Sequence, residues 1–93
     1  VDQLPHHFAA WAMLGHPLLL PIPEIDRTDY FLILGANPLA SNGSLMTAPD
    51  IINRLEAIKK RGGKIILLDP RRTETARVAA EHHFIKPSSD VYF

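Results

Sequence analysis

Ninety-three residues make one small domain at most, and a chain of this size buries only roughly 60–65% of the surface it exposes when unfolded. Ten basic and ten acidic residues cancel to a formal charge of zero, so no general basic field draws the chain to nucleic acid. There is no cysteine, which excludes disulfides, thiolate metal ligands and a cysteine nucleophile, and no apolar run approaches the ~20 residues that cross a bilayer.

Leu4 to Leu14 reads as a helix, with Leu4, Phe8, Trp11 and Met13-Leu14 at roughly helical spacing and Gly15 and Pro17 as its stop. His6 and His7 point about 100° apart on such a helix, which is not the two-ligand face of an i, i+4 pair, so they read as structural rather than metal-binding. Leu18 to Pro23 is apolar but broken by Pro21 and Pro23, which suits an extended segment lying over a core. Tyr30 to Leu34 is a continuous apolar run without alternation, the pattern of a parallel strand covered on both faces. It stops abruptly at Gly35-Ala36-Asn37-Pro38. Gly35 lets the chain turn or a ligand approach the backbone, and Pro38 keeps Asn37 out of the helical region.

The connection from Gly35 to Thr47 is long for a strand-to-helix loop, where about 2–6 residues is usual, and it carries Ser41, Asn42, Gly43 and Ser44. It reads either as a loop that wraps a polar ligand or as a flexible surface loop. Thr47-Ala-Pro49-Asp50 predicts a helix start. Ile51, Ile52, Leu55 and Ile58 form its apolar face, Lys59-Lys60-Arg61 its C-terminus and Gly62-Gly63 its end. The basic triplet therefore belongs to a helix dipole rather than to a nucleic-acid patch. Lys64 to Leu68 is a second buried strand, followed by Asp69-Pro70-Arg71-Arg72-Thr73. Thr73 is expected to cap a short helix over Glu74 to Glu81, and His82 to Lys86 to form a third strand. Pro87-Ser88-Ser89-Asp90 resembles a cap for another helix. Val91-Tyr92-Phe93 stops in mid-pattern, which predicts that the 93 residues are a piece of a longer chain.

Strand, helix, strand at this spacing is a βαβ unit. The predicted fold is α/β: a three-layer αβα arrangement with a short, Rossmann-like parallel sheet, residues 1–93 forming a single domain that is part of a larger one. The carboxyl ends of parallel strands share one sheet edge, where ligands bind in open α/β folds. Each end here carries polar groups with a task on a nucleotide. Gly35 admits a diphosphate, Asp69 accepts from ribose hydroxyls, Arg71 and Arg72 pair with phosphate, and Asp90 accepts from a guanine edge. Plainer readings exist: Asp69 capping a turn, an arginine paired with Glu74 or Glu81, Asp90 capping a helix. Gly35-Ala36-Asn37-Pro38-Leu39-Ala40 lacks the second and third glycines of the nicotinamide dinucleotide fingerprint, and no Walker loop is present.

Gly35-Ala-Asn37-Pro38, the run Arg61-Gly-Gly-Lys64, the string Asp69-Pro-Arg71-Arg-Thr73-Glu-Thr75-Ala and Pro87-Ser-Ser-Asp90 together resemble the molybdopterin oxidoreductases, the dimethyl sulfoxide reductase, formate dehydrogenase and nitrate reductase superfamily. The resemblance runs from about Asp26 onward. Asn42-Gly-Ser44 and Thr47-Ala-Pro49 look like its formate-dehydrogenase-like branch. It implies a ligand, the guanosine diphosphate side of a bis(molybdopterin guanine dinucleotide) cofactor. Gly35, Ala36, Asn37, Pro38 and Ser41 would approach pterin and pyrophosphate. Asp69, Pro70, Arg71, Arg72 and Thr73 would hold ribose and phosphate, and Ser88, Ser89 and Asp90 the guanine. The family has Pro-Gly-Thr-Asp where this chain has Pro87-Ser88-Ser89-Asp90, so a positive φ at Ser88 would carry a cost of order 1 kcal/mol. The resemblance further implies that the metal ligand, any iron–sulfur cluster and a second dinucleotide-binding domain lie outside these residues. Partners would be the remaining domains of the same catalytic subunit and an electron-transfer protein, and the piece alone would be catalytically silent. The alternative is a free-standing α/β module that binds a phosphate ligand or a protein without catalysis.

Overall fold

The computed structural model describes residues 3–43 and 46–93. Helix α1 (Leu4–Leu14) comes first, then strand β1 (Tyr30–Leu34), a single-turn helix α2 (Pro38–Ser41), helix α3 (Ile51–Lys60), strand β2 (Lys64–Leu68), a 3₁₀ turn at Glu74–Arg77 and strand β3 (Glu81–His83). A last 3₁₀ turn covers Asp90–Tyr92. The strands lie in the order β1-β2-β3 and all pairs are parallel, with Leu34 opposite Leu68 and Leu68 opposite His83. The α/β class and the parallel sheet expected from the sequence are those observed.

The core lies on one face of the sheet. Ile33, Ile65 and Leu67, with Phe31 beside them, pack against Ile51, Leu55 and Ile58 of α3 and against Val78. The other face of β1 is open: Tyr30, Leu32 and Leu34 stay exposed, so β1 is not covered on both sides as its continuous apolar run suggests. Such a run says that both faces tolerate burial; a cover must still be supplied, and α1 does not supply it, because its own large side chains are exposed. α1 itself has the predicted bounds. Gly15 ends it at φ +85° with its N–H on the Trp11 carbonyl, and His7 Nδ1 donates to the Pro17 carbonyl at 2.7 Å, which holds the turn that follows.

β1 is an edge strand. Lys64 N–H donates to the Asp29 carbonyl and Gly35 N–H to that of Leu68, at 2.8 Å each. In parallel pairing the residues between these alternate, so the main-chain groups of Leu32 and Leu34 point away from β2. A cleft of about 260 Å³ runs along this edge, lined by Pro21, Pro23, Phe31, Leu34, Ala36 and Pro38 among others.

α3 starts later than Thr47. Asp50 takes the N-cap position at φ +54°, a conformation its short polar side chain tolerates, and Asn53 Nδ2 donates to its carboxylate at 2.9 Å. Ile51, Leu55 and Ile58 turn inward, while Ile52, one residue round the helix, is half exposed. The end is as expected from the two glycines. Gly62 has φ +81°, and Gly63 N–H reaches back to the Ile58 carbonyl at 2.9 Å. A Cβ on Gly63 would lie 2.6 Å from the Asp29 carbonyl oxygen, so the helix end abuts the start of β1 with no room to spare. Arg61 fastens the same joint by donating to the Thr28 carbonyl at 2.7 Å.

Two predicted elements change length for reasons visible in the hydrogen bonding. The helix expected over Glu74 to Glu81 stops at Arg77, because Ala80 N–H is drawn to the Ile65 carbonyl at 2.8 Å and the chain enters the sheet. The third strand therefore starts at Glu81 rather than His82. It ends at His83 rather than Lys86, because Asp69 N–H, bonded to the His83 carbonyl, is the last sheet donor of β2. The next in the alternation, Arg71 N–H, is turned back onto Asp69 Oδ1 at 2.7 Å.

Candidate functional site

The register aligns the carboxyl ends of the three strands, so the segments starting at Gly35, Asp69 and Phe84 leave from one sheet edge. Gly35 has φ +60°, which favours glycine, and nothing lies within 4 Å of where its Cβ would be. The backbone there faces open space. The long loop predicted after it contains α2: Pro38 sits buried in the first turn, and the Asn37 carbonyl accepts from Ala40 N–H, Ser41 N–H and the Ser41 hydroxyl at 3.0–3.2 Å. Asn42 and Gly43 follow at positive φ. Ser44, part of the same predicted polar loop, lies outside the described residues.

The second segment opens at Asp69, which is buried. Its Oδ1 takes the Arg71 N–H, the turn-capping role foreseen as the plainer reading, and its carbonyl meets His82 Nε2 at 3.1 Å. This tight turn leaves Pro70, Arg71 and Arg72 exposed. Among the described residues neither arginine has a carboxylate within ion-pair distance. Their expected surface partners are engaged elsewhere: Glu81 binds Lys64 and His83, and Glu74 accepts from Asn37. Thr73 is buried, caps nothing with its side chain, and its Oγ1 has no hydrogen-bond partner among the described residues. A buried hydroxyl left unsatisfied costs about 1–3 kcal/mol, so this one is poised to gain from a partner.

The first two segments are locked together by residues outside the predicted set. Thr75, with no exposed surface, donates its hydroxyl to Asn37 Oδ1 at 2.7 Å and accepts from Leu39 N–H at 3.3 Å. Asn37 Nδ2 donates to Glu74 Oε2 at 2.7 Å. That bond is the first cause holding the Glu74 carboxyl below its ordinary range, with its own backbone N–H next and the charges of Arg71 and Arg77 adding less. Local spacing gave no warning of this; the place of Thr75 inside the string Asp69 to Ala76 was the only signal the sequence offered.

The third segment stands apart. Ser88 has φ +65°, the positive value anticipated for a position where the resemblance expects glycine. Ser89 bonds the Lys86 carbonyl through both N–H and hydroxyl, and Asp90 opens a 3₁₀ turn rather than a full helix. The hydrogen bonds of Ser88 to Asp90 are local: among the described residues, hydrogen bonds join Gly35–Ser41 to Asp69–Thr75 and none ties Ser88–Asp90 to either.

No family model matches the chain. Individual proteins do. Formate dehydrogenase H of Escherichia coli is 40% identical over 70 residues, 75% of this chain and 9% of that protein. The arsenate respiratory reductase molybdopterin-containing subunit of Chrysiogenes arsenatis is 34% identical over 67 residues, 72% of this chain and 7% of that protein. The periplasmic nitrate reductase of Desulfovibrio desulfuricans is 35% identical over 72 residues, 75% of this chain and 9% of that protein. The chain thus spans less than a tenth of the length of these relatives, and through them it is a homologue of one segment of the molybdopterin oxidoreductases.

Proposed function

We propose that the chain is part of a molybdenum-dependent oxidoreductase, formate-dehydrogenase-like, in which it holds the guanosine diphosphate side of a bis(molybdopterin guanine dinucleotide) cofactor. The observation that carries the reading is the pair Arg71 and Arg72, exposed and without ion pairs among the described residues, on a turn braced to the Gly35 loop at the carboxyl edge of a parallel sheet. A guanidinium matches phosphate oxygens two at a time, and cations with no direct ion pair among the described residues are ready to do so. The donor set fits the group. Arg71 and Arg72 answer the diphosphate, Asp69 keeps a carboxylate oxygen for ribose hydroxyls, and open space over Gly35 admits the ligand to the backbone. When bound, the cofactor supplies the redox chemistry of the metal. The residues here bind and orient it, and any cysteine ligand would have to come from outside these residues, which contain none.

The test is a titration of the folded chain with GDP and with NAD, following backbone amide shifts. GDP should move the amides of Gly35–Ser41 and Asp69–Thr73, and of Ser88–Asp90 if the guanine lies there, with NAD inert. Asp69→Ala should abolish the GDP shifts. Unchanged shifts in that variant would remove the ribose assignment, and equal responses to both ligands would favour a general phosphate-binding module instead.

A further inference from the structure

We propose that Thr75 is a positioning residue for the cofactor: fully buried and unable to touch a ligand, it fixes the loop after β1 against the loop after β2 by clasping Asn37 and the Leu39 N–H. This rests on the cofactor-binding reading above. Pro38 is buried and Leu39 packs against the core, but among the described residues the loop from Gly35 to Ser41 is hydrogen-bonded to the rest of the protein at few points. Gly35 N–H bonds the Leu68 carbonyl at its root, and Asn37 and Leu39 bond Thr75 and Glu74 beyond it. The Thr75 hydroxyl has one proton and spends it on Asn37 Oδ1, while its oxygen accepts from Leu39 N–H. Thr75 is itself held rigid, since its carbonyl takes the N–H groups of Val78 and Ala79 and it has no exposed surface.

The clasp assigns the Asn37 amide a definite job. One N–H goes to Glu74 Oε2 and one lone pair of the carbonyl to Thr75, which leaves one donor and one acceptor on the amide. The two committed bonds fix the plane of the amide and hence the direction of the two free sites. Asn37 thereby joins the pyrophosphate side of the cradle to the turn that carries Arg71 and Arg72. Without the clasp the two loops keep their residues but lose their relative placement, and a diphosphate that must meet both binds less well.

The test uses the full-length enzyme that carries this chain, prepared free of cofactor, with GDP as the probe in calorimetric titration. Thr75→Val keeps the shape and removes both bonds. It should weaken GDP by about tenfold, the equivalent of the one or two hydrogen bonds lost. Thr75→Ser keeps the hydroxyl and should stay within about twofold of wild type. Glu74→Ala breaks only the exposed arm and should cost about threefold, and it stands in for Thr75→Val should the latter fail to fold. All titrations run well below the melting temperature of each variant, so a residue that merely stabilises the fold would lower the melt and leave GDP affinity unchanged. Wild-type affinity in a folded Thr75→Val, or in Glu74→Ala where Thr75→Val does not fold, overturns the proposal. A triple Asp69→Ala, Arg71→Ala, Arg72→Ala variant separates the two claims: if it loses GDP while Thr75→Val does not, the clasp fails and the cofactor reading stands. If the triple variant binds GDP normally, the cofactor reading fails.

Discussion

Helices α1 and α3 have almost the same length and opposite fates. α1 carries Leu4, Phe8, Trp11, Met13 and Leu14, a larger apolar complement than α3, yet it exposes all of them and buries only Ala10. α3 has fewer large apolar residues and buries Ile51, Leu55 and Ile58. The difference lies in what each helix is fastened to. α3 is joined to the sheet at its C-terminal end by Gly63 and Arg61 against Thr28 and Asp29, and its stripe falls on Ile33, Ile65 and Leu67. α1 is followed by a proline-broken segment that enters no strand. Apolar content decides how much a helix gains from burial; the connections decide whether a surface is brought to it.

Truncating a stripe residue on each helix tests this difference most directly. Leu55→Ala should cost about 2–5 kcal/mol in urea unfolding followed by circular dichroism, because it opens a cavity in the core. Phe8→Ala should cost under about 0.5 kcal/mol, and a loss comparable to that of Leu55→Ala would mean that α1 is packed after all. Next in size is the joint that fastens α3. Gly63→Ala places a methyl against the Asp29 and Ile58 carbonyls and should cost about 1–3 kcal/mol, whereas Gly62→Ala, with open space but φ +81°, should cost about 1 kcal/mol. The single tryptophan sharpens the contrast without mutation. Trp11 is 58% exposed, so acrylamide should quench it nearly as well in the folded chain as in urea.

The smallest effect concerns the ionic link across β2 and β3. The Lys64 ammonium, then His83, holds the Glu81 carboxyl below its ordinary value of 4.5, and Glu81 in turn holds Lys64 above 10.5. A carboxyl depressed by folding stabilises above its unfolded pKa, and that contribution fades as pH falls through the folded value. A raised amine stabilises below its unfolded pKa, and that contribution fades as pH rises through the folded value. The link therefore acts between the two, and both groups are exposed, so its weight is slight. Glu81→Gln should lower the melting temperature slightly near neutral pH and leave the acid end unmoved, which flattens the acid limb of a profile measured from pH 3 to 7.

Much of this was legible in the residues. β1, β2 and α1 fall where the apolar runs place them, because each run is bounded by glycine, proline or a charged turn that admits few alternatives. What failed were boundaries set by remote pairing. Nothing near Ala80 announces that its N–H will join the Ile65 carbonyl, and so the helix after Thr73 was expected to run too far. α2 escaped notice because four residues are too few for a periodic pattern. The placement of Gly35, Asp69 and the two arginines just beyond the carboxyl ends of β1 and β2 was readable from the apolar runs that precede them. Thr75 was not, since a buried hydroxyl between two loops is defined by a partner 38 positions away.

The prolines beside β1 bear on how the chain behaves in a concentrated solution. Among the described residues the main-chain groups of Leu32 and Leu34 have no partner at the edge of the sheet, which makes a template on which another extended segment can add. The segment through Pro21 and Pro23 lies along that edge, yet its two prolines lack the N–H groups a ladder requires. It shields the edge without zipping onto it. Those two residues act as gatekeepers against aggregation.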